Sequence, residues 1–143
     1  VIVFEYLEMS GRISGNKKQK LHLWRKRDIQ KLCEHQAHRK GIRISRVSAR
    51  NTSRLAYDGS GAVVRGPGNH SLCTFQTGKR YHCDLSAAYN IGARYFIREL
   101  LKPFSETERS SLEAKVPSVK RRTSCVYADL RLLHAELEKC RIA

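Results

Sequence analysis

The sequence predicts an α/β fold. A strand-like run, a helix and a second strand follow one another within about the first 47 residues, the order that builds an α/β layer. A loop-rich stretch, another long helix and a helical tail come after them. At 143 residues the chain is long enough for one domain with a modest core. It opens inside a strand-like run without an initial Met, as expected for the C-terminal part of a longer protein.

Residues 1–7, Val1-Ile2-Val3-Phe4-Glu5-Tyr6-Leu7, read as a buried strand, apolar on both faces. Glu5 sits near its end. A carboxylate there is costly unless it is paired, binds a metal ion or reaches water. Residues 8–20, with Gly11, Gly15, Asn16 and several lysines, read as a flexible basic loop. A helix is predicted over residues 21–40, with Ile29, Leu32, Cys33 and Ala37 at helical spacing and Gly41 as its stop. His35 and His38 lie three apart on it, as surface histidines on a basic helix do. Residues 42–47 form a short strand. From 48 to 83 five glycines and Pro67 leave only short β-like pieces at 62–65 and 71–75, a small hairpin unit or loop-rich insertion. Asn51-Thr52-Ser53-Arg54 offers small polar groups and a cation, suited either to a backbone phosphate or to a simple turn.

The next helix opens at Asp84 and runs to Leu101, ahead of Pro103. Asp84 fits two roles: a cap for free N–H groups or an oxygen ligand for a metal ion. Ala87, Ala88, Gly92 and Ala93 let this helix lie close to another backbone or a ligand. The last 40 residues read as two helices split near Pro117. Val126, Leu130, Leu133, Leu137 and Cys140 recur at four, three, four and three. Two heptads are too few for a coiled coil, so this stripe is expected to pack onto the rest of the protein.

The net charge is +15. Residues 11–54 carry fourteen Lys and Arg against Asp28 and Glu34, a net +12. Such a block is either a solvated face or a phosphate-binding surface, and nucleic acid is the expected partner. No exposed apolar face beside it argues for a membrane surface, and no apolar run approaches the ~20 residues of a membrane span. The five cysteines are odd in number and lack a C-x-x-C pair, which fits a reducing compartment. There is no internal repeat, phosphate loop or G-x-S-x-G elbow. Two acids on separate elements of so basic a chain are the minimum for metal-assisted phosphodiester chemistry.

An ordered set of stretches resembles the C-terminal half of the TnpB/OrfB family, transposon-encoded RNA-guided nucleases related to type V CRISPR effectors. The stretches are residues 1–7, Leu21-His22-Leu23-Trp24, Gly41-Ile42-Arg43-Ile44-Ser45, Asn51-Thr52-Ser53-Arg54 and Asp84-Leu85-Ser86-Ala87-Ala88-Tyr89-Asn90-Ile91. They span residues 1 to about 98. The resemblance implies a partial RNase H-like (RuvC) domain: a core over 1–51, a degenerate zinc-ribbon-like insertion over 52–83, the third-motif helix over 84–102 and a helical tail over 103–143. It implies that Glu5 and Asp84 are catalytic Mg²⁺ ligands, from the second and third RuvC motifs. The first motif's Asp lies on an earlier strand of such proteins, so this stretch alone is expected to be inactive.

In the family a zinc ribbon with two C-x-x-C pairs precedes the third motif. Here the first pair falls on Ala56 and Gly59. The second keeps Cys73 but has Gln76 or Thr77 for its partner. A closed zinc site needs four ligands, and Cys73, Cys83, His70 and His82 are poorly spaced for one, so no zinc is expected. Lys17, Lys18, Lys20, Arg25, Arg27, Thr52, Ser53 and Arg54 are the expected nucleic-acid contacts. The resemblance makes DNA and a guide RNA the partners, with sequence read by base pairing, and a cytoplasmic, nucleoid-associated location. Metal-dependent DNA cleavage is the leading activity. A nuclease-inactive RNA-guided binder is its rival, and a generic basic RNA-binding protein the third reading.

Overall fold

The computed structural model describes residues 1–6, 26–69 and 71–142. Strand β1 is Ile2–Tyr6 and helix α1 is Lys26–Arg39. Strand β2, Ile44–Ser48, runs parallel to β1 with Ile2 opposite Ile44 and Glu5 opposite Val47. Parallel neighbours need a crossover connection, and α1 lies within it. Gly41 ends α1 in the left-handed region at φ 64°. Its amide donates to His38 O and that of Ile42 to Ala37 O, the paired bonds of a Schellman cap.

The chain next forms a three-stranded antiparallel sheet: β3 (Val64–Arg65), β4 (Leu72–Thr74) and β5 (Arg80–His82). The hairpin was legible; the third strand was not, since Arg80-Tyr81-His82 shows no alternating apolar pattern. Ala56, Cys73, Phe75 and Cys83 form a buried cluster beneath it, with Tyr57, Val63 and Tyr81 packed around them.

Helix α2 spans Cys83–Leu101. Cys83, Ser86, Asn90, Ala93, Arg94, Tyr95, Ile97 and Leu101 are its buried positions, all but Tyr95 in a stripe at three- and four-residue spacing. Helix α3 (Glu106–Lys115), a 3₁₀ turn (Pro117–Lys120) and α4 (Tyr127–Ile142) complete the chain. The expected packing of the tail is observed. Leu133 and Val126 are buried, Leu130 and Leu137 pack beside them, and Cys140 is exposed. Ile97, Leu101, Leu112, Val116, Val119, Cys125 and Leu133 make the main core. The molecule is thus mixed α/β with two small sheets and a helical core.

Two expectations change. The first strand is half-buried rather than buried: Val1, Ile2 and Tyr6 are exposed, because β2 is its single neighbour among the described residues. On α1, Ala37 is buried and Cys33 half-buried, while Ile29 and Leu32 face outward. A two-stranded sheet is too narrow to cover a full apolar stripe. No described helix is long and apolar enough to cross a membrane.

Candidate functional site

The described polar groups converge at the carboxyl ends of β1 and β2. In open α/β sheets this is the end where ligands bind. Asn51 adopts a left-handed φ of 61°, which asparagine tolerates. The turn it opens brings Thr52 back beneath the sheet. Thr52 is 2% exposed, and its hydroxyl faces a Glu5 carboxylate oxygen and Ala49 O. It therefore points inward, away from the surface where a phosphate would lie. Ser53 and Arg54 remain exposed. Ser53 O accepts from Arg65 at 3.0 Å.

Asn90 reaches the same place from α2 and is fully buried. Its amide donates to Thr52 O and Leu55 O, both at 2.9 Å, and its oxygen accepts from the Tyr127 amide at 3.1 Å. One side chain so joins the turn, α2 and the start of α4. One turn further on, Arg94 donates to Ser48 O at 2.6 Å and to Cys125 O at 3.1 Å, while its second terminal nitrogen is buried without a partner. Burial pushes the Arg94 pKa down from its ordinary value, and the Cys125 thiol and Glu5 carboxylate oppose that. A buried guanidinium needs such compensation.

Arg98 continues the row, donating to Arg46 O at 3.2 Å and to the Ser45 hydroxyl at 2.6 Å. The carbonyls of Arg46 and Ser48, two apart on β2, are therefore both held by arginines of α2. Arg43, on the Tyr95 ring and near Glu99, is raised in pKa first by its hydrogen bond to the Tyr95 hydroxyl.

Asp84 stands elsewhere. The helix begins one residue earlier than expected, and His82 is its cap, its Nδ1 accepting from the Asp84 amide at 3.3 Å. The Asp84 side chain is 87% exposed, 4.0 Å from His82 Nδ1. Its carboxylate therefore adds charge to the first turn without supplying the cap. Glu5 reaches α2 at Arg94 and, by way of Thr52, at Asn90, ten and six residues past Asp84, roughly 9–15 Å along a helix axis. The two carboxylates share no partner among the described contacts, and no three His, Cys, Asp or Glu side chains come together as a metal-binding group among the described residues.

Lys17, Lys18, Lys20, Arg25 and His70 lie outside the described residues, and Arg27 is in the first turn of α1. Cys73 and Cys83 are buried together. Burial, reinforced by Cys83, pushes the Cys73 thiol up to about 11.

A second convergence, of aromatic side chains that no sequence pattern groups, lies on the other side of α2. Tyr57, Phe75, Tyr81, Tyr89 and Tyr127 form a linked set of rings with centroids 5.0–6.2 Å apart. Lys79 lies over Tyr57 and Tyr81 and donates to the Tyr57 hydroxyl at 2.8 Å. One strand, two helices and two loop positions contribute to it, so no local pattern could reveal it. Gly92 and Ala88, expected to permit close packing, line an open groove beside these rings, and a Cβ at Gly92 would meet nothing within 4 Å.

Comparison with family models, curated proteins and solved structures gave no match.

Proposed function

We propose that the chain is the C-terminal part of a transposon-associated, RNA-guided DNA endonuclease with a partial RuvC-like domain. One observation carries the reading. Three of the stretches on which the resemblance rests meet at the end of the parallel strand pair, where Glu5 faces Thr52 and Thr52 O is held by Asn90. The strand–helix–strand order and the +15 charge add support.

Glu5 and Asp84 are hard oxygen donors of the kind Mg²⁺ takes and are the ligands that the resemblance implies, although in this structure they stand apart along α2 and do not face one another. When bound, the metal supplies charge stabilisation and an activated water for phosphodiester hydrolysis. Thr52 orients the Glu5 carboxylate, and Arg94 offsets its charge from behind.

Zinc does not fit the small sheet. Gly59, at a position where the family has a ligand, has φ 82°, and a Cβ there would stand 3.1 Å from that of Ala128. The apolar cluster around Ala56, Cys73 and Phe75 fills the interior instead.

A second reading, an RNA-guided DNA-binding protein that does not cut, is favoured by the exposed Asp84 and by the occupied Glu5. The test is Mg²⁺-dependent cleavage of guide-matched DNA by the full-length protein. In the endonuclease, Glu5→Ala and Asp84→Ala each abolish cleavage and leave guide-RNA and DNA binding largely intact. Cleavage by either variant at the parent rate overturns the ligand assignment. Binding without cleavage by the parent establishes the second reading.

A further inference from the structure

Helices α2 and α4 leave an uncovered groove between them. Its first part, about 450 Å³, is walled by Tyr81, Leu85, Tyr89, Phe96, Tyr127 and Leu130. A second part of about 510 Å³ shares Phe96, Tyr127 and Leu130 and ends at Arg131 and His134. Leu85, Tyr89 and Phe96 are 55%, 44% and 52% exposed. Aromatic and apolar side chains left open in a continuous groove mark a binding surface rather than unused core.

Cations stand at both ends of the groove, while the exposed Asp84 carboxylate adjoins its wall at Leu85 and Glu138 lies 3.9 Å from His134. Lys79 lies over the Tyr81 ring at one end, Arg80 is exposed next to it, and Arg131 stands at the other end. Rings flanked by cations match a strand whose bases stack while its phosphates run past lysine and arginine. A second copy of this chain would bring the same cations, Lys79, Arg80 and Arg131, to the groove, which disfavours self-association. The groove floor is apolar, and a ribose 2′-hydroxyl pressed against it would lose its hydrogen bonds.

We infer that the α2–α4 groove binds single-stranded DNA, with an unpaired base stacked on Phe96 and Tyr89 and the backbone held by Lys79 and Arg131. The inference rests on the nucleic-acid half of the proposed function and not on cleavage, since Glu5 and Asp84 are outside the groove.

Fluorescence anisotropy of labelled oligothymidylate with the 143-residue chain tests it. Phe96→Ala weakens binding about fivefold or more, Phe96→Tyr restores it, and oligouridylate of equal length binds more weakly. Lys79→Gln lowers the salt slope by about one unit. Circular dichroism confirms that each variant is folded; Phe96 is exposed enough that it should be. Binding of the parent that Phe96→Ala leaves unchanged overturns the groove and spares the nucleic-acid reading. No binding of any nucleic acid overturns both. Tighter binding of oligouridylate, or concentration-dependent dimerisation that Phe96→Ala abolishes, also overturns the inference.

Discussion

Asn90 has more depending on it than any other described residue. It uses both amide protons and its oxygen, with no exposure to water. Replacing it with Ala leaves two carbonyls and one amide without partners inside the protein. Each buried orphan costs about 1–3 kcal/mol, so Asn90→Ala is expected to lower unfolding free energy by about 3 kcal/mol or more, read from urea denaturation. Asn90→Asp keeps the acceptor for Tyr127 but sets a carboxylate oxygen against two carbonyls at a buried site, so it is expected to cost at least as much as Asn90→Ala. None of this was readable from the chain. Asn90 occupies an ordinary helical position, and its partners lie 35 to 38 residues away. Glu5, by contrast, could be singled out, because a carboxylate inside an apolar strand is conspicuous wherever its partner lies.

The elements were largely legible because each follows a local rule. α2 shows helical periodicity and stops near Pro103. α1 ends at a left-handed glycine. Caps were less legible: the cap is His82, which accepts the Asp84 amide, and not Asp84, since the choice between nearby polar residues depends on where the preceding strand leaves the chain. α3 has the clearest cap. Ser105 accepts from the Glu108 amide, and Glu108 accepts from the amide and hydroxyl of Ser105. Those bonds hold the Glu108 carboxyl below its ordinary pKa. A carboxylate depressed in the folded state stabilises it fully above its unfolded pKa, and the contribution disappears as pH falls through the folded value. The first turn of α3 is therefore expected to loosen in acid below about pH 4. Glu108→Gln should flatten that acid limb in thermal melts recorded from pH 6 to pH 3.

At the scale of the molecule the two halves differ in how far their contacts reach. The helical core draws on residues 97–133, close together in sequence. The parallel sheet joins residues 42 apart and leans on arginines still further along. Amides of Ile97, Leu101 and Leu133 are accordingly expected to exchange with deuterium at the slow, global rate, and those of β1 much faster through local opening. Equal protection in β1 and the helical core would show that the molecule opens as one unit.

The arginine row on α2 has a kinetic consequence. During synthesis β1 leaves the ribosome before β2, and β2 before Arg94 and Arg98, so all of them must emerge before the sheet is braced. Closing a loop of that length precedes any reward from the contact. The helical half is thus expected to assemble around its local contacts first and the amino-terminal strand to dock late. Glu5 would reach Thr52 in the last stage of folding, so the candidate site comes into existence only when the rest of the chain is already in place.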